Sequence, residues 1–258
     1  MHAFDRGGGV TMTGEITPLF TGCPASADGF WVGASTVALY RADGRTILFD
    51  TGPYAYRPLL LGRLKRLGLT PADIDTVVLS HLHWDTATNA DLFRSAAIVV
   101  HARELAYAEK PAAHDWATPP YMARALRKLR LEPVSEECEI AAGVRIVELP
   151  GHTPGSIGLL VGRELLAGDA VAGARDAARG HAELWFADSA QADASLARAL
   201  GLAHIIYAGH DRPFSVGPPV AYLGDYALRI RLFVDPVGMD QEICIKAEKA
   251  RSFATWPE

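Results

Sequence analysis

Apolar residues recur along this chain in short runs, and polar or turn-forming residues separate the runs. Short apolar or alternating runs predict strands at residues 16–20, 36–40, 46–50, 76–79, 97–100, 144–149, 157–161, 164–167 and 204–207. Apolar positions that recur every three or four residues predict helices at residues 58–67, 102–109, 120–129 and 189–200. Because strands and helices alternate through most of the chain, mixed α/β is the only consistent fold class.

A β-hairpin is predicted near the C-terminus, at about residues 226–248. Leu228, Ile230 and Leu232 alternate with arginines, and two isoleucines alternate with other residues after the turn that follows. This alternation gives the hairpin one apolar face, which either the rest of the domain or a second subunit must cover. A homodimer is therefore an open alternative.

The composition is that of a soluble globular protein, with 258 residues, 49% apolar, 21% charged and a formal net charge of −5. Long Lys/Arg blocks are missing, which argues against a nucleic-acid partner, and no run approaches the roughly 18 apolar residues of a membrane span. Three widely spaced cysteines outside any CxxC motif fit a reducing compartment, so we interpret the protein as cytoplasmic. No linker divides residues 13–258, which we interpret as a single domain that includes the hairpin, and residues 1–12 are expected to be disordered.

Metal-ligand residues follow four of the predicted strands. They are His81, His83, Asp85, His152, Asp169 and His210. The loops that leave such strands can gather at one rim of an α/β sandwich, and zinc takes three or four imidazole or carboxylate ligands. Any one of these residues alone is typical of an ordinary strand end. Their repetition at four strand ends predicts a metal site.

At these residues the chain resembles the metallo-β-lactamase-fold hydrolase superfamily. Its motif HxHxDH is matched except at the last histidine, and its later separate His, Asp and His are matched, together with ILFDTG, PGHTPGS and AGHDRP. Within the superfamily, SHLHWD and HARELAYAEK are most similar to the N-acyl-homoserine-lactonase-type branch. The resemblance implies a four-layer αββα sandwich of the metallo-β-lactamase type, with the metals at one edge and the C-terminal β-hairpin as an extension.

The resemblance also implies which residues hold the metals. It assigns a first zinc site to His81, His83 and His152. It assigns a second site to Asp85, the last histidine of the motif and His210, with Asp169 as the bridging ligand. Here Thr86 stands where the motif ends in histidine, so we expect one firmly bound zinc and leave the second open; iron or manganese are alternatives to zinc. In addition, GDAVAG after Asp169 lacks the tyrosine with which lactonases of this branch contact the substrate.

Other residues are candidates for supporting roles. Asp50, at a strand end, is a candidate acceptor for a ligand imidazole, or else it caps the turn at Gly52. Residues 110–121 form a long aromatic segment that either overhangs the metals as a lid or packs as a surface loop. In the lid hypothesis its substrate-binding residues are His114, Trp116 and Tyr121.

Three functions are consistent with these residues. The first is a metal-dependent hydrolase of a small-molecule ester, lactone or thioester, in which a zinc-bound hydroxide attacks and Asp85 orients the water and accepts its proton. The second, an alternative, is a persulfide dioxygenase with a single iron, which oxygen uptake with a persulfide would reveal. The third is a non-catalytic metal-containing binding protein, which would turn over no ester or thioester.

Overall fold

The computed structural model describes residues 14–27, 30–31, 33–42, 44–224, 227–233 and 240–246. The segment predicted to be disordered, residues 1–12, lies outside the described residues, and so do the outer ends of the predicted hairpin. The described residues fall into two compact units, which divide between Tyr222 and Leu223.

The first unit contains fifteen strands and six α-helices, and the second contains two strands. The strands are β1 Glu15–Phe20, β2 Ser26–Ala27, β3 Phe30–Trp31, β4 Val37–Ala42, β5 Arg45–Phe49, β6 Thr76–Val78, β7 Ala97–His101, β8 Leu131–Val134, β9 Cys138–Ala141, β10 Val144–Glu148, β11 Ile157–Val161, β12 Glu164–Gly168, β13 Ile205–Ala208, β14 Phe214–Ser215, β15 Ala221–Tyr222, β16 Ala227–Phe233 and β17 Asp240–Lys246. The helices are α1 Arg57–Arg66, α2 Trp84–Ala87, α3 Ala102–Glu109, α4 Met122–Leu126, α5 Ala174–Arg179 and α6 Ser189–Leu202.

Two mixed sheets form the body of the first unit. One has the strand order β1-β4-β5-β6-β7-β8, and the other has the order β15-β14-β13-β12-β11-β10-β9. Strands β5 to β8 run parallel to one another, and so do β12 and β13, while the remaining neighbours within these sheets are antiparallel. Parallel neighbours end at the same edge of a sheet, so the residues that follow β5, β6, β12 and β13 can meet there.

Three buried layers hold this unit together. The middle layer lies between the two sheets, where side chains such as Phe49 and Val78 of the first sheet belong to the same cluster as Ile146 and Leu159 of the second. The outer layers pack helices α1, α3 and α4 on the first sheet and helices α5 and α6 on the second. The arrangement is the predicted αββα sandwich, and the predicted fold class is confirmed.

Helix ends follow local sequence signals. The Asp188 carboxylate accepts a hydrogen bond from the Gln191 N–H at 2.8 Å, which caps the N-terminus of α6. In α1, Leu60 and Leu64 are fully buried, whereas Leu61, on the side of the helix that faces away from the core, is 36% exposed. The helix predicted at residues 120–129 is shorter in the structure, where α4 covers Met122–Leu126.

The second unit is a hairpin. Strands β16 and β17 pair antiparallel, with Leu228 opposite Ile245 and Ile230 opposite Ile243, so the predicted C-terminal hairpin is present. The interpretation of the chain as one domain, and the homodimer, stay predictions. In the part of the chain that the structure describes, no helix has the length and apolar character needed to cross a bilayer.

Candidate metal centre

Four buried side chains meet where β6, β10 and β12 end. His81, His83, His152 and Asp169 each offer one ligand atom, and these atoms all lie within 4.8 Å of one another. His81 and His83 follow β6 and precede α2, His152 comes four residues after β10, and Asp169 directly follows β12. The structure therefore brings together four of the six predicted ligands as one metal-binding group.

Two glycines let the chain approach closely enough to build this group. Gly168 has a φ of +52°, which favours glycine, and a side chain there would clash with Ser80. A side chain at Gly209 would clash with the Asp169 carboxylate. The residue before each ligand, in the sequences AGD and AGH, is therefore glycine for a steric reason.

The tautomer of His81 is fixed by a chain of hydrogen bonds that ends at Asp50. The Ser80 hydroxyl and N–H donate to the two carboxylate oxygens of Asp50, at 2.8 and 2.7 Å. The Ser80 oxygen, 2.9 Å from His81 Nδ1, therefore accepts the Nδ1 proton and leaves the Nε2 lone pair for the group. Asp50 thus reaches the imidazole through Ser80 and not directly. Its φ of +56° is strained for a residue with a side chain, as is frequent beside functional sites.

His152 and His83 are each held on the side that faces away from the group. His152 Nδ1 donates to the carbonyl oxygen of Leu184 at 3.1 Å, and His83 Nε2 lies 3.4 Å from a carboxylate oxygen of Asp115. The remaining nitrogens, Nε2 of His152 and Nδ1 of His83, face each other at 3.1 Å. Two lone pairs at this distance repel unless a cation lies against both, so this geometry fits a metal ion.

Asp169 completes the group. Its Oδ2 lies 3.4 Å from His152 Nε2 and 3.8 Å from His81 Nε2. Among the described residues, two buried atoms of the group have no hydrogen-bond partner, namely Asp169 Oδ1 and His81 Nε2. Buried polar atoms are rarely left unpaired, so the orphaned His81 Nε2, which faces Asp169 Oδ2, indicates a ligand at this group. Three imidazoles and one carboxylate are donors that zinc accepts.

Burial keeps two of these imidazoles neutral, which metal binding requires. Burial and the neighbouring His83 hold the pKa of His81 well below its usual value, although Asp169 opposes them. Burial also lowers the pKa of His152 to about 4, again against the attraction of Asp169. The pKa of Asp169 itself is low because His210, His152 and His81 outweigh its burial.

The remaining predicted ligands, Asp85 and His210, lie next to this group. His210 Nε2 is 3.1 Å from Asp169 Oδ2 and 3.5 Å from Asp85 Oδ2, although Asp85 and His210 fall outside the tight group of four. Burial lowers the pKa of His210. The carboxylates of Asp169 and Asp85 raise it by more than burial lowers it, so that the pKa is about 10. Burial raises the pKa of Asp85. The hydroxyl of Thr86 donates to the carbonyl oxygen of His83 at 2.9 Å and is thus directed at the backbone.

Two buried acids at this centre are not predicted from the sequence. Asp115 accepts hydrogen bonds from the Tyr107 hydroxyl and the Thr118 hydroxyl in addition to His83. Burial raises its pKa, but these hydrogen bonds outweigh the effect and the pKa is low. Glu104 is fully buried in the first turn of α3, and burial raises its pKa. Only its position between two singled-out residues, His114 and Trp116, could have drawn attention to Asp115.

An aromatic cover lies over the histidines. The ring of Phe186 packs edge-on against those of His83 and His152, with centroids 4.9 and 5.5 Å apart. His114 Nε2 contacts the Phe186 carbonyl oxygen at 3.1 Å, and the Trp116 ring lies edge-on to Phe186 at 6.4 Å. Segment 110–121 thus contacts the centre at two points. Its own Asp115 contacts His83, and its His114 contacts Phe186.

Tyr121, the third residue of the lid hypothesis, lines a different surface feature. It borders a groove of about 220 Å³ together with Tyr54, Thr88 and Met122. None of the predicted ligands lines this groove.

Comparison with known proteins identifies the family. The model of the Metallo-beta-lactamase superfamily matches residues 30–210. The chain belongs to this superfamily. Metallo-beta-lactamase domain-containing protein 1 of Xenopus laevis is 34% identical over 191 residues, which is 69% of this chain and 75% of that protein. The N-acyl homoserine lactonase AiiB of Agrobacterium fabrum is 35% identical over 108 residues, which is 38% of this chain and 39% of the lactonase.

The fold of this metallo-beta-lactamase superfamily member is also found in solved lactonase structures. The AiiA protein of Bacillus thuringiensis, solved with N-decanoyl-L-homoserine at its active site, superposes with a TM-score of 0.59 at 23% identity, over 77% of this chain and 92% of that one. AidC, a dizinc quorum-quenching lactonase, superposes with a TM-score of 0.62 at 18% identity, over 74% of this chain and 79% of that one. These structures share the fold, and the predicted similarity to lactonases is confirmed.

Proposed function

We propose that this chain is a metal-dependent hydrolase that cleaves an ester, lactone or thioester bond in a small molecule. The observation that carries the proposal is the buried group of His81, His83, His152 and Asp169, in which the partners of the imidazoles leave lone pairs facing one space. These four residues would hold a zinc ion, which would lower the pKa of bound water to about 7 and so supply a nucleophile that the protein itself need not provide. The lactonase relatives support the same class of reaction.

Asp85 is the residue we assign to proton transfer. Its carboxylate is almost fully buried beside the group, and the raised pKa that burial causes suits an acceptor of a proton from water. His210 lies 3.5 Å from Asp85 Oδ2 and orients that carboxylate. In this proposal Asp85 and His210 support the reaction from positions beside the four metal ligands.

The surroundings of the centre favour a substrate with an apolar part. Leu184, whose carbonyl oxygen holds His152, is 38% exposed, and the adjacent Trp185 is 41% exposed. Across the cover, Trp116 is 65% exposed beside Phe186. Large apolar side chains exposed next to a polar centre are typical of a binding site, so we assign them to contact with the substrate.

A substrate panel tests this proposal. Zinc-loaded protein, metal-stripped protein and the His152→Ala variant are assayed for acid release from acyl lactones, aryl esters and thioesters. We expect turnover of at least one class by the loaded protein only, with better turnover for longer acyl chains. Oxygen uptake with a persulfide and no hydrolysis would show an iron dioxygenase instead, and no reaction in either assay would favour a non-catalytic binding protein.

A further inference from the structure

Glu104 joins the two loops that carry the histidine ligands. One of its carboxylate oxygens, Oε1, accepts a hydrogen bond from the N–H of Leu82 at 3.0 Å, and Leu82 lies between His81 and His83. The other, Oε2, accepts from the N–H of Gly155 at 3.1 Å, in the loop that carries His152. One side chain therefore contacts both ligand loops.

The position of Glu104 is rigid. The side chain is fully buried, and its backbone belongs to the first turn of α3, which packs on the first sheet. A side chain at Gly155 would clash with the Glu104 backbone, so the second loop rests directly on the helix. Because the helix is fixed, the carboxylate sets the distance between the loops.

In the described part of the structure Glu104 hydrogen-bonds to backbone N–H groups and not to a ligand side chain, and burying an acid is costly unless it is well hydrogen-bonded. Its two backbone hydrogen bonds satisfy buried N–H groups that belong to different loops. The buried carboxylate therefore fixes the position of the two loops relative to each other. At metal sites, loss of a partner that orients the ligands typically lowers metal affinity by about 10- to 100-fold.

We propose that Glu104 is a positioning residue, which holds the loop of His81 and His83 against the loop of His152 at the separation that one metal ion needs. This inference rests on the metal centre of the proposed function. It concerns the affinity for the ion and not the identity of the substrate, so the two can fail separately.

The test is the metal affinity of Glu104→Gln. Glutamine has the same shape but replaces one carboxylate oxygen by an NH₂ group, which cannot accept from a backbone N–H. One loop therefore loses its partner, and we expect Zn²⁺ affinity, measured against a competing chelator, to fall by about 10-fold or more. The d–d spectrum of Co²⁺-loaded protein should change as well. The matched control is Glu109→Gln, at the exposed end of the same helix, which should leave both unchanged.

Two results would overturn the proposal. The first is a Glu104→Gln protein that has a lower melting temperature without metal but an unchanged Zn²⁺ affinity and Co²⁺ spectrum, since Glu104 would then act only in folding. If this variant does not fold, hydrogen exchange on the natural protein decides. We expect Zn²⁺ to slow exchange of the Leu82 and Gly155 amides together; slowing of only one, or of neither, would be the second such result.

Discussion

Each imidazole of the metal-binding group has a polar partner on its far side. Ser80 accepts from His81, the Leu184 carbonyl accepts from His152, and Asp115 accepts from His83. Consequently, the nitrogen that faces the centre of the group is Nε2 in His81 and His152 and Nδ1 in His83. A partner on the outer nitrogen fixes the ring and raises its basicity, so the group is prepared for a metal before binding.

Removing one of these imidazoles should abolish tight metal binding. For His152→Ala we expect Zn²⁺ affinity to fall by more than about 100-fold. Only three ligands remain, and one of them, the Asp169 carboxylate, also contacts His210. Metal content after dialysis, measured by mass spectrometry, checks this. The control is His181→Ala, whose exposed imidazole pairs with Asp193 outside the group. Full metal content in His152→Ala would remove this histidine from the site.

Thr86 should limit the number of ions. Its hydroxyl is bonded to the His83 carbonyl, and Asp85 and His210 are within 3.5 Å of each other, so we expect close to one tightly bound ion per chain. Thr86→His adds an imidazole beside Asp85 and His210 and should raise the count toward two. Thr86→Ser, which keeps the hydroxyl, serves as the control. Two tightly held ions in the natural protein would contradict this account.

The sequence predicts the ligands of this centre better than it predicts their supports. The ligands follow strands, and parallel strands that end together bring them together. Asp115 and Glu104 reach the centre from a loop and a helix, through contacts with residues 32 and 22 positions away. No local pattern reveals such pairs, because an acid in a loop or in a first helical turn is common.

Strand prediction succeeds for the buried strands and for the edge strand β1, but it misses two other edge strands. Strands β5, β7, β11 and β12 are mostly buried, and their apolar runs are clear in the sequence. Strands β8 and β9 lie at the edges of the two sheets and are only partly buried. Pro133 further weakens the signal of β8, since proline is tolerated only at an edge. These two edge strands carry little of the hydrophobic pattern on which prediction depends.

The aromatic cover should protect the metal from exchange. Replacing Phe186 by alanine removes the ring that packs on His83 and His152, and we expect Zn²⁺ loss to a chelator to become about 10-fold faster, with a lower melting temperature. Stopped-flow chelation measures the rate. Phe186→Leu keeps most of the volume and should lie between the two proteins. An unchanged rate of Zn²⁺ loss in Phe186→Ala would show that the ring does not shield the bound ion.

The whole metal-free protein should lose stability in alkaline solution because of one mostly buried charge, that of His210. The pKa of His210 is about 10 in the folded protein, while an ordinary histidine has a pKa of about 6.5. Between these values the folded state keeps a proton that the unfolded state has lost, so the free energy of unfolding falls as pH rises. The slope is at most about 1.4 kcal/mol per pH unit.

Denaturant unfolding of metal-free protein at several pH values checks this dependence. His210→Gln should remove most of the alkaline slope, because glutamine does not titrate. His181→Gln, at an exposed histidine, should keep it. A natural protein whose stability is flat from pH 6.5 to 9 would mean that His210 is neutral when no metal is bound.

Anomalous diffraction from a crystal of zinc-loaded protein would locate the ion. We expect a strong zinc peak within about 2.0–2.3 Å of His81 Nε2, His83 Nδ1, His152 Nε2 and a carboxylate oxygen of Asp169. These four residues should need only small shifts to reach it. A peak elsewhere, or none at this group in protein shown to contain zinc, would contradict the account.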